Sequence, residues 1–233
     1  MTSPLTAPIS TPAAPEKLVG FDQAAWFYDA LAGLVFGSSQ QAAQLAALRG
    51  LPTDAPHVLI LGGGTGWVLG EVLRRLPAAT VLYLEASPKM LARARARLAR
   101  EFPQAVGQVE FRHGTQAALQ PAERFGAIIT FFVLDCIPSA DLGAALAQLR
   151  TAQRPGAPWL VADFRPARRG WRRWLLQLMY LFFRLITGLR AREMPDLRAD
   201  LGRLGLAAGP AQLFFGGAME ALIFTENPAV AQP

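Results

Sequence analysis

The stretch Val58–Gly66, VLILGGGTG, constrains the fold of this 233-residue chain more than any other feature. An apolar run ends in a glycine turn, and an amphipathic helical pattern begins near Trp67. A buried strand that runs through a glycine turn into a helix is the opening unit of a dinucleotide-type α/β fold. The absence of side chains at Gly62, Gly64 and Gly66 would let a ligand approach the backbone.

Further strands and helices alternate along the chain. The strand-like runs are Val81–Glu85, Val109–Arg112, Ala127–Phe132 and Trp159–Asp163. The helical patterns are Ser38–Arg49, Ser87–Phe102, a short one at Gln116–Leu119, and Ser139–Thr151. The strand-like runs are continuously apolar, which is typical of strands buried on both faces of a parallel sheet. The alternation predicts an α/β fold with a Rossmann-like, doubly wound, mostly parallel seven-stranded sheet.

The C-terminal part departs from this alternation. Two strand-like runs, Leu213–Phe215 and Glu220–Thr225, are separated by only four residues. Because so short a link cannot hold a parallel crossover, we expect a C-terminal antiparallel β-hairpin at the sheet edge.

The domain organisation follows from the ends of these patterns. We expect residues 1–19 to be a flexible N-terminal tail, and they lack the basic and apolar regions of a signal peptide, which favours a cytoplasmic location. We expect residues 20–233 to form a single domain, with a helical cap at residues 20–50 and an apolar lid helix insertion at residues 165–196. The single cysteine, Cys136, excludes an internal disulfide and a multi-cysteine metal site, and we expect no metal.

The net charge of +6 raises the question of a polyanionic partner. The arginines are spread over several segments, so a basic solvated surface is favoured over nucleic-acid binding.

The lid segment Trp171–Thr187 has an unusual surface pattern. Its polar side chains form one narrow stripe, and almost all the rest is apolar. We expect this helix to shape an apolar acceptor pocket or to rest on a membrane surface, peripheral at the inner membrane face. The alternative is that this helix packs on the sheet or at a homodimer interface. The sequence is therefore compatible with a monomer and with a homodimer. Co-sedimentation with anionic liposomes would test the membrane contact.

A carboxylate follows the second strand, about 20 residues beyond the glycine turn. Glu85 stands where a carboxylate accepts ribose hydroxyls in dinucleotide-binding folds. Turn, helix and carboxylate together predict a nucleoside-containing ligand.

With these motifs the sequence resembles class I S-adenosylmethionine-dependent methyltransferases over about Phe21–Asn227. LILGGGTG is similar to their first motif, LYLEAS to their second, and FGAIITFFVLDCIP to their fourth strand and its loop. The segment around Tyr28 and Asp29 resembles the cap of the ubiquinone and menaquinone C-methyltransferases. The resemblance implies S-adenosyl-L-methionine as cofactor and S-adenosyl-L-homocysteine as product. The implied cofactor-binding residues are Gly62, Gly63, Gly64, Thr65, Gly66, Glu85, Ala86, Thr115, Gln116 and Phe131.

Three positions depart from the family pattern. An acidic residue usually stands at the position of Ile60, Cys or Ala often at that of Gly63, and Asp often at that of Thr115. A hydroxyl at Thr115, with the neighbouring Gln116, can still hydrogen-bond an adenine edge.

The candidate catalytic residues follow strands or lie in the cap. Asp135, after the fourth strand, can take a proton or orient an acceptor, and its alternative role is to cap a turn. Tyr28 can close over the cofactor, and His113 can border the adenine pocket. Asp163 ends a strand beside Arg165, which suggests a simple ion pair.

The preferred function is methyl transfer to a small hydrophobic acceptor such as a quinone-like, polyene or lipid molecule. An RNA or protein methyltransferase is a second hypothesis, motivated by the basic pI of 10.4. A non-catalytic cofactor-binding or assembly protein is a third. GGGTGWVLGEVL also resembles aminopropyltransferases, but their N-terminal β-domain is lacking, and only Asp135 could serve as their catalytic Asp.

Overall fold

The computed structural model describes residues 38–54, 57–165 and 196–228. The helices in these ranges are α1 (Ser38–Ala47), α2 (Trp67–Arg75), α3 (Pro88–Glu101), α4 (Ser139–Ala152) and α5 (Leu197–Arg203). The strands are β1 (His57–Leu61), β2 (Thr80–Glu85), β3 (Val109–His113), β4 (Ala127–Phe131), β5 (Trp159–Phe164), β6 (Leu206–Ala208), β7 (Gln212–Phe214) and β8 (Met219–Glu226).

Several sequence predictions fall on other residues. The tail at residues 1–19, the aromatic cap with Tyr28 and the lid helix Trp171–Thr187 lie outside the described residues. The acceptor-pocket and membrane roles of that helix therefore stay predictions. In the described part of the chain, every helix is too short or too polar to cross a bilayer.

The sheet has the predicted doubly wound order, β3-β2-β1-β4-β5-β8-β6. Strands β1 to β5 are mutually parallel, and β8 runs antiparallel to β5. The chain passes from β1 outward to β2 and β3 and then returns to β4 on the other side of β1. The chain therefore leaves β1 and β4 in opposite directions along the sheet. This opens a crevice at the carboxyl ends of these two adjacent strands, where ligands bind in such sheets.

The C-terminal hairpin is confirmed, with one strand that the sequence did not predict. Strand β7 pairs antiparallel with β8, across a turn at Phe215–Gly217. Strand β6 pairs with the far end of β8, so two short strands share the seventh position of the sheet. Pro210 lies between them and lacks a backbone N–H to donate to a neighbouring strand, which explains why one edge strand becomes two.

Hydrophobic cores cover both faces of the sheet. Val58 and Ile60 face the core under α1, α2 and α3, whereas Leu59 and Leu61 face the core under α4 and α5. All four side chains are at most 4% exposed, and each contributes about 1.5–3 kcal/mol by burial. The two cores hold the carboxyl edge of the sheet in place.

The local signals for helix ends were mostly correct. Ser87, where the predicted pattern begins, caps α3 by accepting the Met90 N–H at 3.3 Å, and Pro88 is the first helical residue. The short helix expected at Gln116–Leu119 is a single 3-10 turn, Gln116–Ala118, which Thr115 caps.

Candidate active site

Two side chains of strand β2 hydrogen-bond to the backbone of the glycine turn. The Gly64 N–H donates to Glu85 Oε2 at 2.9 Å, and the Tyr83 hydroxyl donates to the Gly64 carbonyl at 2.9 Å. Because alternate residues of a strand share a face, Tyr83 and Glu85 reach the turn together. The backbone N–H and carbonyl of Gly64 are thus both hydrogen-bonded to side chains of β2, which fixes the shape of the turn.

Glu85 is a buried carboxylate with partners for both of its oxygens. Its side chain is 6% exposed, and Oε1 accepts the Ser87 N–H at 2.9 Å. Burial raises the pKa of Glu85, while the backbone hydrogen bonds from Ser87 and Gly64 act in the opposite direction. Since each carboxylate oxygen has two lone pairs, each can accept a further hydrogen bond from a ligand hydroxyl.

The glycines of the turn are required for different reasons. Gly62 has φ +68°, and an added Cβ would lie 2.5 Å from Val133 Cγ2. An added Cβ at Gly63 would lie 2.5 Å from the ring and hydroxyl of Tyr83. At Gly64, with φ +63°, an added Cβ would have no heavy atom within 4 Å. The open space beside Gly64 is where a ligand can reach the backbone.

The Tyr83 contact accounts for one departure from the family pattern. Tyr83 is fully buried, and its hydroxyl fills the space that a side chain at position 63 would need. Gly63 and Tyr83 are therefore matched to each other. Tyr83 is not among the residues predicted from the sequence, although its spacing of two residues from Glu85 indicates a shared face of the strand.

A small pocket of about 30 Å³ lies next to the turn. Its lining residues are Gln44, Ile60, Leu61, Gly62, Gly63, Val68, Ile129 and Phe131. The predicted residue Phe131 is among them. Gln44, on α1, was missed because no local pattern connects that helix to the glycine turn.

The predicted adenine-side residues lie at the same edge of the sheet. His113 pairs with Glu85 in the β2–β3 register, and its Nε2 lies 2.9 Å from the Ala86 carbonyl oxygen. Thr115 is exposed and its Oγ1 accepts the Ala117 N–H at 3.4 Å, while Gln116 is half-buried. The structure brings these residues near Glu85, and their contacts with a ligand stay predictions.

The loop after β4 holds Asp135 in a 3-10 turn, Leu134–Cys136. The Cys136 thiol donates to Asp135 Oδ1 at 3.5 Å. Burial raises the pKa of the Cys136 thiol well above its usual range, and the charge of Asp135 adds to this. A thiol in this state is a poor nucleophile.

Under this loop lies a second buried carboxyl, Asp163 at the end of β5. It is fully buried, and Oδ1 accepts the Phe164 N–H at 2.8 Å. Oδ2 has no hydrogen-bond partner within the described ranges. Burial raises the pKa of Asp163 well above its usual range, and the charge of Asp135 raises it further. Both causes favour the protonated form of this carboxyl over the charged form.

The ion pair expected between Asp163 and Arg165 is not the one observed. Arg165 Nε instead lies 3.9 Å from Glu220 Oε2, and Arg198 Nη2 lies 3.6 Å from the same atom. The two neighbouring residues differ because Asp163 is covered by the β4–α4 loop, whereas the Arg165 side chain is 40% exposed.

Two aromatic rings lie where β4 and β5 end. Phe132 has φ +53° and its N–H donates to the Ala162 carbonyl at 2.7 Å. Its ring meets that of Phe164 edge to face, with centroids 5.2 Å apart. For a non-glycine residue a positive φ is costly, so the position of Phe132 is imposed by its surroundings.

Comparisons with known proteins agree with this architecture. Residues 58–156 match the family model described as a methyltransferase domain. An O-methyltransferase family protein from Burkholderia thailandensis is 20% identical, with a TM-score of 0.69 over 89% of this chain and 63% of its own. The 1,6-didemethyltoxoflavin-N1-methyltransferase of the same organism, solved with S-adenosylhomocysteine, is 18% identical, with a TM-score of 0.64 over 96% and 93%.

A third solved structure is magnesium protoporphyrin IX methyltransferase from Synechocystis PCC 6803, which is 19% identical, with a TM-score of 0.60 over 80% of this chain and 83% of its own. Likeness at this identity shows the fold. No curated protein matches the chain in sequence. The chain spans 63% of the length of the first structure, so what such whole proteins act on comes to this chain as a proposal. The match of residues 58–156 to a methyltransferase domain, together with the shared fold, supports the predicted class I methyltransferase domain with S-adenosylmethionine as cofactor.

Proposed function

We propose that the chain transfers the methyl group of S-adenosylmethionine to a small hydrophobic acceptor. The observation that carries this proposal is the pair of hydrogen bonds from Glu85 and Tyr83 of β2 to the backbone of Gly64. They hold the buried Glu85 carboxylate next to the empty space beside Gly64. The Glu85 carboxylate can accept hydrogen bonds from the two ribose hydroxyls, and the space beside Gly64 lets the ligand lie close to the backbone.

The residues at this edge fit the cofactor. Glu85 has one lone pair left on each oxygen, enough for both ribose hydroxyls. His113 and Thr115 lie on the β3 side of Glu85, where the adenine would extend. The small pocket at Gly62 and Gly63 lies on the other side, where the methionine end would extend.

The acceptor side of the site is apolar and aromatic. Phe132 and Phe164 form an edge-to-face pair there, which favours a flat apolar molecule. Structural neighbours whose names state their acceptors methylate a didemethyltoxoflavin and a magnesium porphyrin. Both acceptors are small molecules, which supports the same class here.

The protein's own contribution would be positioning and proton acceptance. The bound cofactor supplies a methyl group on a sulfonium, which is already activated towards attack. The aromatic pair would align the acceptor and exclude water. Where the acceptor starts protonated, Asp135 would take its proton.

Calorimetric titration with S-adenosylmethionine and S-adenosylhomocysteine tests the cofactor part. We expect Glu85→Ala to weaken binding at least tenfold, roughly 1.4 kcal/mol or more. Glu110→Ala is the matched control, since its side chain is 61% exposed on β3. No binding by the wild-type chain would refute the proposal and favour a scaffold or assembly role.

A screen of acceptors then tests the reaction itself. Apolar phenols, quinones and lipids are incubated with a methyl-labelled cofactor, and labelled product is measured. Turnover of RNA or protein substrates, with none of the small acceptors accepted, would overturn the choice of acceptor and leave the cofactor assignment intact.

A further inference from the structure

We propose that the Gln44 side chain binds the amino group at the methionine end of the cofactor. This inference rests on the proposed function and assigns a binding role to helix α1. That helix precedes β1 and contains none of the cofactor-binding residues predicted from the sequence. Gln44 lines the pocket beside the glycine turn together with the backbone of Gly62 and Gly63.

The position of α1 aims Gln44 at that pocket. The helix packs against β5, β7 and β8, and its residues Ala43, Ala46 and Ala47 are at most 3% exposed. Gln44, which follows Ala43, is half-buried on the flank that faces β4 and β1. It therefore lines the same pocket as Phe131 and Ile60 at the carboxyl edge of the sheet.

The chemistry of the lining leaves one side-chain acceptor. The side chains of Ile60, Val68, Ile129 and Phe131 offer no hydrogen-bonding atoms. Gln44 is the one polar side chain among the described lining residues, and its amide makes no hydrogen bond with other described residues. Its amide oxygen is free to accept a hydrogen bond from a ligand.

The ligand end that reaches this pocket carries a donor. Because Glu85 ends β2, which lies between β3 and β1, a ribose held there would leave one end of the cofactor on the β3 side and the other on the side of β1 and β4. The second end is an amino acid, with an ammonium group that must be hydrogen-bonded when it leaves water. A pocket of about 30 Å³ has room for a group of this size. The structure thus matches the ammonium to the Gln44 amide oxygen.

Binding measurements with truncated ligands test this contact without any acceptor. S-adenosylhomocysteine carries the amino-acid end, decarboxylated S-adenosylhomocysteine keeps only its amine, and 5′-methylthioadenosine lacks both groups. We expect Gln44→Leu to raise the Kd of the first two ligands about tenfold, as for a lost hydrogen bond to a charged group. The Kd of 5′-methylthioadenosine should stay unchanged.

Two further variants keep the result interpretable. Gln44→Glu restores an acceptor, so it should bind S-adenosylhomocysteine at least as tightly as the wild-type chain. Gln41→Leu, at an exposed position on the same helix, should change no Kd. Thermal melts confirm that each variant is folded.

The outcomes separate this inference from the proposed function. Equal weakening of all three ligands by Gln44→Leu, or no weakening of any, would overturn the role of Gln44 while the cofactor assignment stands. Failure of the wild-type chain to bind any of the three ligands would overturn both.

Discussion

Two buried carboxyls at the carboxyl edge of the sheet are held in opposite ways. Glu85, at the end of β2, has backbone N–H partners for both oxygens. Asp163, at the end of β5, has one such bond and a second oxygen without a partner among the residues described. Burial raises the pKa of both; at Glu85 the backbone N–H bonds are the main opposing cause, whereas at Asp163 the charge of Asp135 adds to the rise before backbone N–H bonds oppose it.

This difference separates the two halves of the candidate site. On the β1–β2 side, backbone hydrogen bonds fix a turn and leave a carboxylate ready to accept ligand hydroxyls. On the β4–β5 side, the buried Asp163 lies under the loop that carries Asp135 and Phe132, and Phe164 ends β5 beside that loop. The proposed function assigns the cofactor to the first half and the acceptor to the second.

The largest effect is expected from breaking the glycine turn. In Gly63→Ala the new Cβ would lie 2.5 Å from the Tyr83 ring, so we expect a loss of about 1–3 kcal/mol in the free energy of unfolding. Urea denaturation measures this loss. Gly143→Ala is the control, since an added Cβ there has open space and alanine favours the helix.

A double-mutant cycle sharpens this prediction. In a Tyr83→Leu background, which removes the ring and hydroxyl, Gly63→Ala should cost less than it does alone. Equal costs in both backgrounds would show that the two residues are not matched to each other.

A smaller effect, with a defined pH dependence, is expected at Asp163. Its pKa in the folded state lies above the unfolded value of about 3.9, so the folded chain binds more protons between the two values. The free energy of unfolding of the wild-type chain therefore falls as pH rises through this window. Asp163→Asn should remove that fall and be at least as stable as wild type at pH 8.

Urea denaturation between pH 4 and pH 9 checks this expectation, with Asp54→Asn as a control at an exposed position. If Asp163→Asn loses more stability at pH 8 than at pH 5, the charged form of Asp163 is the one the fold needs, and the contrast with Glu85 disappears.

The smallest effect is expected at Thr115, on the adenine side. The residue is exposed and its capping hydrogen bond is long, at 3.4 Å, so Thr115→Ala should change stability by about 0.5 kcal/mol or less. If its hydroxyl touches the adenine, the Kd of S-adenosylhomocysteine should rise about two- to threefold. Thr53→Ala, in an exposed turn, is the control. A lower melting temperature with unchanged Kd would instead assign Thr115 to capping alone.

The sequence by itself determined the features that depend on neighbouring residues. The run Val58–Gly66 specified strand, turn and helix, and Ser87 with Pro88 specified the start of α3. The position of Glu85 after its strand was sufficient to place it at the edge where β1 ends, because parallel strands present their carboxyl ends together. Each of these signals is contained within a short segment of the chain.

The tertiary structure alone decided the contacts between distant segments. It brought Tyr83 against Gly63, placed Gln44 of α1 in the pocket beside the turn, and brought Arg165 to Glu220 in place of Asp163. It also divided the outer strand into β6 and β7. No local sequence pattern predicts these contacts, because each depends on which distant side chains meet when the helices pack on the two faces of the sheet.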